Sequence, residues 1–79
     1  MNVPIDTQKF AKRFNQRLNA LGWESKDFVI AAQKLGYSDL NYSLLHFWRR
    51  GLHAPGTMGR VEQVAEVLGV TAEWLLGGK

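Results

Sequence analysis

Residues 41–56, NYSLLHFWRRGLHAPG, hold the densest set of chemically capable side chains in the 79-residue chain. A phenol (Tyr42), a hydroxyl (Ser43), two imidazoles (His46, His53) and two adjacent guanidinium groups (Arg49, Arg50) stand within it, and no Asp or Glu accompanies them. Without a carboxylate to orient a base, Ser and His here make no nucleophile–base arrangement. The set is suited to donating hydrogen bonds. Ser and His reach base edges, Arg grips phosphate through a planar fork, and a Phe such as Phe47 touches a thymine methyl.

For those groups to act together, the stretch must be a helix with a wet side. Asn41 can cap its start, and Gly51 can adopt the left-handed conformation that ends it. At about 100° per residue, Leu44, Leu45 and Trp48 share one arc, which must face the core. Tyr42, Ser43, His46 and Arg50 fall opposite, flanked by Phe47 and Arg49.

The remaining chain supplies that core. Phe10, Phe14, Leu18 and Leu21 make one stripe of an amphipathic helix capped by Asp6 or Thr7 and stopped by Gly22, with Lys9, Lys12, Arg13 and Gln16 on its solvated face. A second helix, from Ser25 or Lys26 to Leu35, is expected to turn Phe28, Ala31, Ala32 and Leu35 inward and to stop at Gly36. GYSDLN then reads as a turn. After Pro55 and Gly56, a fourth helix starts near Thr57 with Val61, Val64, Ala65 and Leu68 inward, and ends at Gly69. VTAEWLL gives a short fifth helix capped by Thr71 and packed through Trp74, Leu75 or Leu76, after which GGK ends the chain loosely. Five helices with short connections predict an all-α orthogonal bundle forming one domain over 1–79.

Composition narrows the role. No Cys is present, which rules out disulfides and thiolate metal sites and suits a reducing cytosol. The longest apolar run, residues 28–32, is far short of a membrane span, and the first ten residues lack a signal-peptide pattern. Residues 1–60 carry nine Lys or Arg against four Asp or Glu, while residues 61–79 carry one Lys against three Glu. A basic front and a mildly acidic back suit a chain that presents one side to a polyanion. His46 and His53 lack a third ligand, Gly77–Gly78 opens no helix, and Trp23, Trp48 and Trp74 read as packing residues. No metal, cofactor, small-molecule substrate, catalytic group or membrane contact is expected.

WRRGLHAP followed by VEQVAEVLGVTAEWLL resembles the phage repressor and Cro (XRE-type) helix-turn-helix family. Trp48, Arg49, Arg50, Gly51 and Pro55 fit the end of that family's recognition helix. Ala65, Leu68, Gly69, Val70, Leu75 and Leu76 fit its following helices, and Ala32, Leu35 and Gly36 fit the end of its first motif helix. The resemblance covers roughly residues 10–76 and is more specific in its C-terminal half. Two departures stand out. Tyr37, Ser38, Asp39 and Leu40 lengthen the turn before Asn41 by about three residues, and Phe28 occupies the place where the family often has a bracing Gln.

The resemblance implies a lambda-repressor-like five-helix domain with a lengthened helix-turn-helix turn. It implies a sequence-specific regulator that binds a palindromic operator in double-stranded DNA as a homodimer, in the bacterial cytosol. Tyr42, Ser43 and His46 match base-reading positions, with Phe47 as a further candidate. Arg50 matches a backbone-contacting position, and Arg49, His53, Ser38 and Lys26 complete the expected phosphate contacts. The rival expectation is an antitoxin-like module whose main business is a protein partner, with autoregulatory DNA binding. The chain would suit a whole protein or the amino-terminal piece of a longer repressor.

Overall fold

Phe10, Phe14 and Leu18 recur at helical spacing and are fully buried in α1 (Thr7–Leu21), which lies along the core and touches most of the other elements. The computed structural model describes residues 5–78, and those residues form five helices and no strand. The expectations for residues 1–4, including the missing leader pattern, and for Lys79 lie outside the described residues. After α1 come α2 (Ser25–Lys34), α3 (Tyr42–Arg50), α4 (Met58–Leu68) and α5 (Ala72–Leu75). Among the described residues no helix is long and apolar enough to cross a membrane.

Local chemistry fixes the helix boundaries. The Asp6 carboxylate accepts from the backbone N–H of Gln8 (3.0 Å) and Lys9 (3.1 Å), Asn41 from Leu44 (3.2 Å), Thr57 from Arg60 (3.2 Å) and Thr71 from Trp74 (3.1 Å). At α2 the reach runs backward: the Asp27 carboxylate accepts from the Glu24 N–H at 2.8 Å. Each side-chain cap satisfies a donor that the first helical turn leaves open. The Gly77–Gly78 pair is not a loose end. Both N–H groups close α5, on the carbonyls of Trp74 (3.0 Å) and Glu73 (2.8 Å).

The core is wholly apolar among the described residues. Its centre is a cluster of four rings. Phe10 and Phe14 stack at 5.6 Å, Phe28 meets Phe14 edge-on at 5.3 Å, and Trp48 stands edge-on to Phe10 (5.8 Å) and Phe14 (6.1 Å). Such pairs add about 0.5–1.5 kcal/mol each beyond the area they bury. Val61, Val64, Ala65 and Leu68 of α4 and Leu75 of α5 close the cluster from the other side. Trp23 and Trp74 pack against it half-buried, and Arg13 lies over the Trp74 ring at 4.8 Å.

One expected core residue is displaced. Leu35 is expected inward with Phe28, Ala31 and Ala32, but it caps the C-terminal end of α2 and is 46% exposed. Gly36 at φ +88° turns the chain away there, with the Tyr37 N–H closing on the Ala32 carbonyl at 2.9 Å. Leu40, five residues later, is fully buried instead. The long connection of residues 35–41 therefore has its own apolar anchor.

That connection is also pinned to α4 on both sides of Ser38. The Tyr37 hydroxyl donates to the Glu66 carboxylate, and Asp39 pairs with Arg60 at 2.7 Å. The hydrogen bond to Glu66 holds the Tyr37 proton and raises its pKa above the ordinary 10.0. The hydrogen bond from Arg60 lowers Asp39 below its ordinary 3.8. A lowered carboxylate stabilises the fold above its unfolded pKa and loses that contribution as pH falls through the folded value.

Two outcomes follow for this segment. Leu40→Ala should destabilise the domain by about 2–5 kcal/mol, read from urea denaturation, because a buried methyl cluster is replaced by a cavity. Asp39→Asn should flatten the fall in stability of the wild type below about pH 4, measured as urea midpoint against pH.

Candidate nucleic-acid interface

The helix that carries the chemically capable residues is held from behind. Leu45 is fully buried and Trp48 nearly so, while Leu44 is half-buried, which fixes the inner side of α3. Its end is fixed by polar groups of α1. The Gln8 side chain donates to the Gly51 carbonyl (3.2 Å), and the Asn15 amide donates to the Arg49 carbonyl (2.9 Å). These carbonyls stand at the C-terminal end of α3, where no later N–H of the helix is left to receive them. Backbone conformation favours Gly at position 51, and a side chain there would push the flexible end of Gln8 off its bond. The Gly51 φ of +75° is left-handed, and a Cβ there would stand 2.7 Å from the Gln8 amide nitrogen.

Turned outward are Tyr42, Ser43, His46, Phe47 and Arg50, all exposed. No hydrogen bond or ion pair joins Arg50 to another described residue, and its cation sits favourably at the negative end of α3. Phe47 is flanked by both imidazoles, edge-on to His46 at 5.4 Å and to His53 at 5.1 Å. The loop residue His53 is thus gathered to the same face. From residue 40 to residue 61 the chain contains three Arg and two His and no Asp or Glu, so nothing acidic on this segment repels an anion.

The other expected phosphate contacts are placed differently. Arg49 turns its guanidinium into the molecule: Nε donates to Asn15 (2.9 Å) and Nη1 to Ser25 (2.9 Å). Its fork ties α3 to α1 and α2. Ser38 is exposed in the connection between the two pins to α4. Lys26 is exposed at the start of α2, with its ammonium 3.6 Å from Glu24, a surface pair of little energetic weight. Phe28 is fully buried, and the Ser25 hydroxyl accepts from Arg49, which joins α2 to α3.

Sequence reading missed Gln8 and Asn15. The available signal was their position at the polar edge of the Phe10–Phe14–Leu18 stripe, adjacent to where a neighbouring helix must pack. Among the described residues no group of three His, Cys, Asp or Glu is placed to hold a metal ion. No protein-family model matches the chain, and comparison with curated proteins and with solved structures gave no match either.

The bracing of α3 is open to measurement. Gly51→Ala should cost about 1–2 kcal/mol from the left-handed backbone alone, and Gln8→Ala about 1 kcal/mol for the lost hydrogen bond. The double variant should cost less than the sum of the two, because removing Gln8 also removes the clash with the new Cβ. Thermal or urea unfolding of the four proteins completes the cycle.

Proposed function

We propose that the protein is a sequence-specific DNA-binding regulator in which α2, the connection of residues 35–41 and α3 form a lengthened helix-turn-helix of the phage repressor and Cro type. The observation that carries this reading is the division of α3: Leu45 and Trp48 are sealed in the core, while Tyr42, Ser43, His46, Phe47 and Arg50 stand together on an acid-free outer face. A face of donors and cations without a carboxylate matches what a duplex offers, acceptors on base edges and phosphates on either side. An α-helix fits the major groove, and the rigid bracing of α3 by Leu45, Trp48, Gln8 and Asn15 limits the entropy lost on docking.

In this reading Ser43 and His46 bond base edges, Tyr42 and Phe47 supply apolar and aromatic contact, and Arg50 pairs with a phosphate. Lys26, Ser38 and His53 lie in segments that would border the groove. Arg49 serves mainly to hold the helix. One α3 per chain gives few contacts, so a homodimer on a two-fold symmetric site is proposed, with half-sites about 34 Å apart. Such a protein works in the bacterial cytosol, at the nucleoid. A second reading, a partner-binding antitoxin-like module, draws on Tyr42, Phe47 and Leu52, which are 56%, 40% and 57% exposed around the same helix.

The test is a titration of fluorescent duplex DNA from the gene's own upstream region, with random competitor and varied salt. A preferred site should emerge that survives competitor. Ser43→Ala and His46→Ala should each weaken binding to it by about 1–3 kcal/mol and affect random DNA much less. Arg50→Ala should weaken binding to all sequences and reduce the log–log salt slope by about 0.9. Equal losses on preferred and random DNA for Ser43→Ala and His46→Ala would remove the base-reading role.

A further inference from the structure

Lys9, Lys12, Arg13 and Gln16 line a depression of about 360 Å³ on the outer side of α1, closed at one end by Gly77. No carboxylate is among the lining residues. The nearest acid in sequence, Asp6, is occupied with the backbone N–H groups that open α1. Lys9, Lys12 and Arg13 are spaced three and four apart, where like charges repel on a helix surface. No ion pair to another described residue relieves Lys9 or Lys12, in contrast to Lys26 and Arg60. The helix therefore concentrates positive charge around a concave surface, and no ion pair among the described residues neutralises Lys9 or Lys12.

The place of this groove decides its occupant. Lys12 follows Gln8 by four residues and precedes Asn15 by three, so it shares their side of the helix. Gln8 and Asn15 are the residues bonded to Gly51 and Arg49 at the end of α3. Lys12 thus stands between the two α1 residues that reach the end of α3, and Lys9 and Arg13 carry the positive band around the helix toward α5.

We infer that the α1 groove is a second phosphate-backbone track, in which Lys9 and Lys12 bind phosphodiesters of the duplex whose groove α3 enters, with Arg13 held over Trp74 as its far wall. The inference rests on the DNA-binding reading but not on base recognition. It extends the contacted backbone beyond α3 and gives a chain with one recognition helix a larger share of salt-dependent affinity.

The experiment uses the full chain with Lys9→Gln/Lys12→Gln, leaving Arg13 in place because it packs on Trp74. Lys34→Gln on α2 gives the baseline effect of removing one surface charge. Binding to a random-sequence duplex, and to the preferred site, is measured across 50–200 mM salt. Two lost phosphate contacts lower the log–log slope by about 1.8, so the affinity gap between wild type and variant narrows roughly twelvefold across that range. The proportional loss is the same on both DNAs, and urea unfolding of the variant is unweakened because its changed side chains are exposed. If wild type binds duplex without sequence preference and the slope still falls, the track stands while the base-reading role fails. An unchanged slope, or one no lower than the Lys34→Gln baseline predicts per charge, overturns the track. So does a groove that binds phosphatidylcholine–phosphatidylserine vesicles in place of duplex, or a wild type that binds no duplex at all.

Discussion

Carbonyl groups at the C-terminal ends of α3 and α4 have no N–H of their own helix to receive, and side chains of α1 close three of them: Gly51 by Gln8, Arg49 by Asn15 and Leu68 by Arg17 at 2.8 Å. A part-buried carbonyl left open would cost about 1–3 kcal/mol, a large fraction of the stability of a domain this small. The constraint reaches further than energy. Each closure is directional, so it sets where α3 and α4 end relative to α1, and the apolar core alone would leave that freer. Rings and aliphatic groups decide which face of each helix is inside, and the polar edge of α1 decides how far along it lies.

The outer face of α3 inherits its order from this arrangement. Leu45 and Trp48 are locked in the ring cluster, the Asn15–Arg49–Ser25 network ties three helices at one point, and Gln8 holds Gly51. Phe47 is then steadied between two imidazoles on the solvent side. An aromatic ring this exposed would ordinarily sample several rotamers, and edge-on neighbours on both sides narrow that freedom.

Much of this was legible in the residues themselves. The caps at Asp6, Asn41, Thr57 and Thr71 and the stops at Gly22, Gly51 and Gly69 are local chemistry, and local chemistry is written in order along the chain. The same holds for the inward stripes Phe10–Phe14–Leu18 and Val61–Val64–Ala65–Leu68, and for the outward position of Tyr42, Ser43, His46 and Arg50. What escaped is non-local. That Leu40 and not Leu35 fills the core depends on where Gly36 turns the chain. That Arg49 faces inward depends on Asn15 and Ser25, which are 34 and 24 residues away. Such pairings leave no period in a sequence, since a polar residue beside an apolar stripe reads the same whether it meets water or a carbonyl.

The connection between α2 and α3 is bonded to α4 through Tyr37–Glu66 and Asp39–Arg60, with Leu40 sunk between elements. The tilt of α3 is therefore registered, through that connection, against a helix that follows it in the chain, as well as against α1 and α2, which bond it directly through Gln8, Asn15 and Ser25. Grafting the nine residues of α3 onto a scaffold with a tighter turn would carry over their identities and lose their angle. The smallest cassette that keeps these ties runs from Gln8 through Glu66, so the outer face of α3 could be transferred to another scaffold only in a block of that length.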